Sequence, residues 1–562
     1  MDINNEWKYK PFWSFEEKHA PRPAQKRIIN KIITAMHDGY QNIIVEAGTG
    51  IGKSAIATTI SNYAQDSYIL TRTKQLQQQY LSDFNDILTE IKGKGNYTCL
   101  RYSGPDNRIT CDECIQRATK RKTCDICQFK RQKLIAMRSP TVLANYHYLW
   151  NASKYSEDWT TRDLIIFDEA HKFEEFVMST ISRTLSRDYY RKHYGIDLFD
   201  NIVKGDTLTE WEKPIKWVPI IEKLIELFRN EKNNLTHKME NHDRKDSQAK
   251  NYAKQIGMLE KRITNFIEFK QLIVKDNWVV ILPRRYQIEK DFTGLQVEFK
   301  PINITKYTND FLSLGETRLF LTGTIGHFNK FCEWINIDPT KTILIREPSH
   351  FPVRNRPIIK SYVGNLKGSK NGVPAWKSEV VLDKVRSILN KHESEKGIIH
   401  TTSHMQSNWL YDNLKDEYDF WKVSSDKRYN PFGLTREELI TRFKHTDDNI
   451  ILLSAGMKDG VDFPDDECRF QILFKMPIPR FDAQVYERNR HDKLWVPYQT
   501  IMDTVQAYGR GVRSADDYCK FYVLDSELDN LLNRYRDLFT PSFLEAVGKS
   551  RSIPKPIPVG GK

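Results

Sequence analysis

Residues 42–54 read Asn-Ile-Ile-Val-Glu-Ala-Gly-Thr-Gly-Ile-Gly-Lys-Ser. The β-branched run from Asn42 to Val45 predicts a buried strand, the glycines predict a loop, and a helix is expected from Lys53. A strand–loop–helix unit of this kind belongs to an α/β fold with a parallel sheet. Ala47 stands where the common phosphate-loop pattern has its first glycine. The chemistry survives that change. Gly48, Gly50 and Gly52 let the backbone N–H groups around Thr49 and Ile51 turn toward an anion. Lys53 can reach the outer phosphates, the Ser54 hydroxyl can ligate Mg2+, and the anion sits on a helix N-terminus. Ala47–Ser54 is therefore the candidate nucleotide site, with ATP and Mg2+ as its expected ligands.

Outward from the loop the pattern repeats. Tyr68-Ile69-Leu70 predicts a strand, and 75–91 predicts a helix. Residues 130–138 predict another helix, and 141–150 return to the sheet. Leu164-Ile165-Ile166-Phe167 is a buried strand that ends in Asp168-Glu169-Ala170-His171. Paired carboxylates at a strand end suit Mg2+ ligation by Asp168 and orientation or deprotonation of the attacking water by Glu169. Residues 176–273 carry apolar residues at helical spacing (Ile221, Leu224, Ile225, Phe228; Ile256, Leu259, Ile263, Phe266) and predict an insertion of long helices. Within it, 230–250 reads as a solvated helix or tip. Strand pattern resumes at Trp278–Leu282 and at Leu319-Phe320-Leu321, which ends in Thr322-Gly323-Thr324. After a linker at 348–357, a second α/β unit follows with strands at 397–400, 450–453, 471–474 and 521–524. Gln506–Arg513 closes it, with Arg510 and Arg513 spaced i, i+3. One helix face can then present both cations to a γ-phosphate.

The 562 residues carry 86 Lys/Arg against 73 Asp/Glu, a formal charge of +13, with 39% hydrophobic residues. Mean hydropathy is −0.60. This composition excludes wholesale disorder. No apolar run reaches the roughly 20 residues that span a bilayer. The opening residues lack a signal-peptide pattern, so a cytoplasmic protein is the expectation. Residues 91–138 hold 12 Lys/Arg and 4 acids, a local charge of +8. They also hold five of the eight cysteines: Cys99, Cys111, Cys114, Cys124 and Cys127. The spacing Cys111-x2-Cys114-x9-Cys124-x2-Cys127 suits a four-thiolate metal site such as zinc. Cys332, Cys468 and Cys519 lie in apolar surroundings and read as buried thiols.

Taken in order, these segments resemble the XPD/DinG-like group of superfamily-2 helicases, which carries an iron–sulfur cluster. Arg22-Pro23-Ala24-Gln25 resembles the Q motif, which implies that Gln25 reads adenine. Ala47–Ser54 resembles motif I, where the superfamily accepts alanine first. Thr71–Leu76 resembles motif Ia, Asp168–His171 the DEAH form of motif II, and Thr322–Thr324 motif III. His400–Ser403 resembles motif IV, and Asp459–Pro464 motif V, implying nucleotide contacts from Gly460 and Asp462. Gln506–Arg513 fits motif VI, with Gln506, Arg510 and Arg513 reaching ATP. The resemblance also implies a [4Fe–4S] cluster on Cys99, Cys111, Cys114 and Cys127, with Cys124 to spare. Gln128-Phe129 departs from the Pro-Tyr that commonly follows the last ligand. Five thiols for four places leave Cys124, and zinc, as alternatives.

The resemblance implies two RecA-like domains with a cluster insertion and a helical arch in the first. The expected boundaries are 1–91, 139–175 and 274–350 for motor domain 1, 92–138 for the cluster domain, 176–273 for the arch, 351–550 for motor domain 2 and 551–562 for a flexible tail. The implied activity is ATP-dependent, 5′→3′ DNA unwinding by a monomer acting on single-stranded, tailed or forked DNA, with no membrane partner. Lys and Arg of the cluster domain would follow phosphates, and Tyr97, Tyr102 or Phe129 would stack on bases. The rivals are a DEAH-type RNA-directed ATPase and an ATP-switched nucleic-acid-binding protein that never unwinds.

Overall fold

The computed structural model describes residues 7–13, 20–48, 50–101, 103–104, 108–113, 126–241, 247–274, 277–349, 351–424, 426–455, 462–514 and 516–548. Its first sheet opens with β1 (Asn42–Ala47), β2 (Ser67–Thr71), β3 (Thr89–Glu90), β4 (Thr141–Asn145) and β5 (Arg162–Asp168). All six residues of β1 and all five of β2 are buried. That is the mark of a parallel sheet covered by helices on both faces. The helix Pro23–His37 turns Ile28, Ile29, Ile32 and Ile33 onto one of those faces and starts with proline, whose missing N–H costs nothing in a first turn.

The chain then leaves the sheet. β6 (Arg183–Ser186), β7 (Trp278–Ile281) and β8 (Gln296–Pro301) form a separate antiparallel sheet in the order β6-β8-β7. Two long helices, Val218–Glu240 and Ser247–Ile273, pack on each other between β6 and β7. They share one core with the small sheet, from Leu185 through Phe228 and Phe269 to Phe299. The inserted layer thus runs on to Pro301, because β7 and β8 close its core rather than joining the first sheet.

β9 (Gly315–Thr322) and β10 (Thr342–Glu347) return to the first sheet, whose order is β10-β1-β9-β5-β2-β4-β3, all parallel. The second half adds β11 (Ile358–Gly364), the hairpin β12 (Ser369–Lys370) and β13 (Val373–Pro374), then β14 (Gly397–Thr401), β15 (Phe420–Lys422), β16 (Ile451–Ala455), β17 (Phe470–Leu473) and β18 (Lys520–Asp525). Apart from the hairpin these form a second parallel sheet, β11-β18-β17-β14-β16-β15.

Two expectations change. The helix expected over 75–91 stops at Phe84, and Thr89–Glu90 pairs with β4 as an edge strand. The helix expected to carry Arg510 and Arg513 ends at Tyr508, so Arg510 follows it in a turn and Arg513 in the irregular chain beyond. Gly509 and Gly511 break the helix, and a Cβ on Gly511 would stand 2.4 Å from Cys519 Sγ. None of the described helices is long and apolar enough to cross a membrane.

Candidate nucleotide site and cysteine cluster

The phosphate loop leaves β1 and turns into the helix Lys53–Tyr63. Gly50 and Gly52 have φ of +79° and +84°, the left-handed region that only glycine enters freely. Gly52 has a second reason. A Cβ there would meet Gln25 Nε2 at 2.4 Å. That nitrogen donates to the Ile51 carbonyl at 2.9 Å, and Gln25 Oε1 accepts from the Arg22 N–H at 2.8 Å. Arg22 Nη1 donates to the Gly50 carbonyl at 2.6 Å. In this structure, then, Gln25 spends both ends of its amide holding the loop in shape. Lys53 Nζ lies 3.4 Å from the Ala47 carbonyl, folded back over the loop it serves. Thr49 lies outside the described residues.

Asp168 ends β5 almost fully buried. Tyr80 donates its hydroxyl to Asp168 Oδ2 at 2.9 Å, and the Glu169 N–H donates to Oδ1 at 2.9 Å. Tyr146 donates to the Asp168 carbonyl at 2.8 Å. Burial first, then the neighbouring Glu169 charge, pushes the Asp168 carboxyl up to about 6, while Lys53 opposes the rise. The buried Asp168 carboxylate, with the half-buried Glu169 beside it and Tyr80 in contact with both Asp168 and Ser54, makes a hard-oxygen donor set, the chemistry that suits Mg2+. Ser54 and Asp168 therefore fit that ion.

Glu169 has φ of +56°, a left-handed conformation in a non-glycine residue that costs about 1–3 kcal/mol and clusters at functional sites. Its carboxylate lies 3.3 Å from His171 Nδ1. His171 Nδ1 also lies 3.1 Å from Thr322 Oγ1. Thr322 gives its own hydroxyl proton to the Thr324 carbonyl at 2.8 Å, so its oxygen accepts from the ring and Nδ1 carries the proton. Burial holds His171 well below its ordinary pKa, so the ring is neutral.

The second sheet supplies the opposite wall. Arg513 is ion-paired through Nη2 with Asp462. Its remaining guanidinium nitrogens, Nε and Nη1, are buried with no hydrogen-bond partner. A Cβ on Gly50 would stand 2.7 Å from the Arg513 carbonyl, so motif VI lies directly against the phosphate loop. Charge coupling joins Asp462 to Glu169, Arg510 and Lys53 as well. The Phe463 N–H donates to the Arg510 carbonyl at 3.2 Å. Gln506 and Arg510 line a cavity at the carboxyl ends of β14, β16 and β17. Gly460 lies outside the described residues.

Several partners escaped the sequence reading. Tyr80 and Tyr146 reach Asp168 from elements far away in the chain, and no local pattern marks them. Glu46 did leave a signal, a charge inside a buried strand. Arg346 pairs with it at 2.6 Å, and its other oxygen accepts from the Ile325 N–H at 3.3 Å.

In the cysteine segment, the Cys99 N–H donates to the Ile109 carbonyl at 2.7 Å and the Cys111 N–H to the Tyr97 carbonyl at 2.8 Å. These bonds pin two short arms together. Cys127 caps the helix Gln128–Arg138, and its sulfur lies 4.0 Å from Cys111 Sγ. Tyr97 and Phe129 pack edge to face with centroids 5.6 Å apart, and Lys94 lies over the Phe129 ring. Both aromatics therefore serve the packing of this segment. Cys114, Cys124 and Tyr102 lie outside the described residues. Among the described residues no group of three or more metal-ligating side chains forms a metal site. The sulfur donors and the 4.0 Å approach fit two corners of a thiolate-held metal centre. Cys332, Cys468 and Cys519 are buried, as their surroundings predicted.

Two parallel sheets therefore meet at a phosphate loop, which makes the junction a candidate nucleotide-binding cleft. Residues 18–197 match the family model described as type III restriction enzyme, res subunit, and 385–545 match the helicase C-terminal domain. A structure titled XPD helicase superposes with a TM-score of 0.58 at 13% identity, over 92% of this chain and 98% of that one. A second, titled XPD apo, gives 0.55 at 13% identity, over 91% and 98%. The Xpd4 structure from S. tokodaii gives 0.51 at 14% identity, over 94% and 99%. A Methanocaldococcus jannaschii protein named "Probable ATP-dependent helicase" is 26% identical over 219 residues, 33% of this chain and 34% of that protein. This chain thus covers about a third of the curated relative's length. Together the two matched domains and the shared fold support the resemblance to the XPD/DinG-like helicases of superfamily 2.

Proposed function

We propose that the chain is an ATP-dependent DNA helicase that moves 5′→3′ on a single strand and unwinds the duplex ahead of it. The observation that carries this reading is Arg513. Two of its buried guanidinium nitrogens have no partner, and it stands against the loop that holds Lys53. Unpaired donors buried in a cleft are costly unless an acceptor comes to them, and a γ-phosphate supplies three acceptor oxygens.

In this reading the γ-phosphate lies between Lys53 and Arg513. Water oxygen attacks the γ-phosphorus, the bond to the β–γ bridging oxygen breaks, and the electron pair leaves with ADP. Glu169 accepts the water proton and His171 orients that carboxylate. Ser54 and Asp168 would hold Mg2+, which supplies positive charge to the phosphate oxygens. Asp462 holds Arg513 in place until phosphate competes for it. Arg510 and Gln506 link this chemistry to the second domain, and Gln25 reports adenine through the loop it supports.

Cys99, Cys111, Cys114 and Cys127 would hold a [4Fe–4S] cluster that cross-links the basic segment 92–138. That segment, with the long-helix insertion 176–273 as arch, would split the duplex. Strand-displacement assays on 5′-tailed and 3′-tailed DNA test the activity and its polarity. Unwinding from 3′ tails alone overturns the polarity, and an ATPase stimulated more by RNA than by DNA overturns the substrate. Visible absorption with iron and zinc analysis of anaerobically purified protein tests the cluster, and a colourless zinc protein overturns it.

A further inference from the structure

Tyr80 lies fully buried on the helix Lys74–Phe84, with its ring edge to face on Phe84 at a centroid distance of 6.2 Å. Packing alone would be served as well by phenylalanine, and a hydroxyl taken out of water is costly unless it is bonded. This hydroxyl is bonded twice. It donates to Asp168 Oδ2 at 2.9 Å, and it shares a second hydrogen bond with the Ser54 side chain.

The direction of the second bond follows from counting protons. A phenol has one proton, and a carboxylate can only accept. The Tyr80 proton is therefore on the Asp168 side, and the Ser54 hydroxyl gives its own proton to the Tyr80 oxygen. The order of donation is Ser54 to Tyr80 to Asp168. A hydroxyl that offers its lone pairs to a cation must point its proton elsewhere, and Tyr80 supplies that acceptor. Asp168 is fixed at both oxygens, because Tyr80 holds Oδ2 and the Glu169 N–H holds Oδ1 at 2.9 Å. Ser54 comes from the first turn of the helix Lys53–Tyr63 and Asp168 from the end of β5. One oxygen from a third element thus orients both side chains that fit Mg2+.

We infer that Tyr80 is a positioning residue for Mg2+, aligning Ser54 and Asp168 ahead of the ion and so setting how tightly the cleft takes magnesium with its nucleotide. This role rests on the reading of the cleft as an ATP site. Groups that orient metal ligands in this way are typically worth about 10–100-fold in metal affinity.

The test uses the full chain, N-methylanthraniloyl-ADP as a fluorescent probe and MgCl2 as the titrant, with Tyr80→Phe and Tyr146→Phe compared. Tyr80→Phe keeps the ring and removes the shared oxygen. Tyr146→Phe removes another buried hydroxyl, one whose bond goes to the Asp168 backbone carbonyl rather than to its carboxylate. In EDTA, Tyr80→Phe and wild type should bind the probe equally. The half-saturating Mg2+ concentration should rise about tenfold in Tyr80→Phe and stay within about twofold of wild type in Tyr146→Phe. The loss of ATP hydrolysis in Tyr80→Phe should shrink as Mg2+ is raised. Tm in EDTA separates a structural role. If Tyr80→Phe lowers Tm and leaves the Mg2+ concentration unchanged, the tyrosine only packs and the inference fails. It fails equally if both variants raise that concentration alike, since the site is then merely loosened. A wild-type chain that binds the probe with no dependence on Mg2+ and hydrolyses no ATP removes the ATP-site reading and this inference together. Mg2+-dependent binding that Tyr80→Phe leaves unchanged removes this inference alone.

Discussion

Lys53 and His400 show two ways in which one side chain carries a testable consequence. Lys53 folds back onto the Ala47 carbonyl and is the cation of the phosphate loop itself. Lys53→Ala should lower ATP hydrolysis by at least about a hundredfold, the usual loss when one preorganised donor to a developing charge is removed. Single-strand affinity should persist, because the strand contacts lie elsewhere. An ATPase assay with and without oligonucleotide checks both, and normal hydrolysis would dismiss the site. His400 is buried, with Nε2 2.8 Å from Gln471 Oε1. Burial, with Arg510 nearby, holds its pKa down at about 4. The unfolded chain protonates this ring near pH 6.5, so acidification through that range favours unfolding. Between pH 7 and pH 5 the wild type should lose about 2 kcal/mol more stability than His400→Gln, read from urea unfolding. Parallel pH curves for the two proteins would refute it.

At the scale of the element, the loop after β9 joins the acidic box to the second half. His171 meets Thr322, Thr324 Oγ1 donates to Met502 Sδ at 3.3 Å, and Tyr498 donates to the Ile325 carbonyl at 2.9 Å. Tyr498 and Met502 lie on the helix Trp495–Tyr508, whose end carries Gln506 and leads to Arg510. Gly326 makes this approach possible. Its φ is +66°, and a Cβ would stand 2.8 Å from Tyr498 Cε2 and 2.9 Å from Met502 Cε. Gly326→Ala should therefore cost about 1–3 kcal/mol of stability. It should also depress strand-stimulated ATP hydrolysis more than the basal rate. A variant with full stimulation would show that this loop does not transmit. The elements themselves could be read from the sequence where burial is two-sided. β1, β2 and β5 are each built on a continuous apolar run, Ile43–Val45, Tyr68–Leu70 and Leu164–Phe167, as suits parallel strands covered by helices on both faces. Where tertiary context decides, reading failed. Nothing local tells Thr89–Glu90 to pair with β4, and the helix Trp495–Tyr508 stops short of its arginines at Gly509, with Gly511 packed tightly against Cys519. The loop, the paired acids and the arginines of the candidate site were legible because their spacing is local. Tyr80 and Tyr146 were not, because each reaches the acids from another element; Thr322 was marked by its motif, but its contact with His171 was not.

For the whole molecule the question is what the second half of the chain must release when the cleft changes. The segment Asp482–Asp492 follows the second sheet's β17, yet it is docked on the first half. Lys300 lies 3.4 Å from Asp482, and Gln484 Nε2 donates to the Pro301 carbonyl at 2.7 Å. Asp492 accepts from Trp334 Nε1 at 2.9 Å and from Lys330 at 3.2 Å. At the centre, buried Arg488 pairs with Glu174, donates to the Ile302 carbonyl at 3.1 Å and lies over the Trp495 ring at 4.6 Å. Glu174 sits in the helix Phe173–Ile181, directly after the Asp168–His171 box. The opposing charges are desolvated together, so the pair itself adds little net stability, but losing one member strands the other. Arg488→Met should therefore destabilise the chain by about 3–5 kcal/mol. The double variant Glu174→Gln with Arg488→Met should recover more than half of that loss, which a thermodynamic cycle from chemical denaturation measures. If the two losses simply add, the pair is not coupled and the segment is free to swing with the second sheet. If they recover, the segment stays on the first half. The hinge then lies at its junctions with β17 and the helix Trp495–Tyr508, so the second sheet turns about the end of the helix that carries its arginines toward the nucleotide.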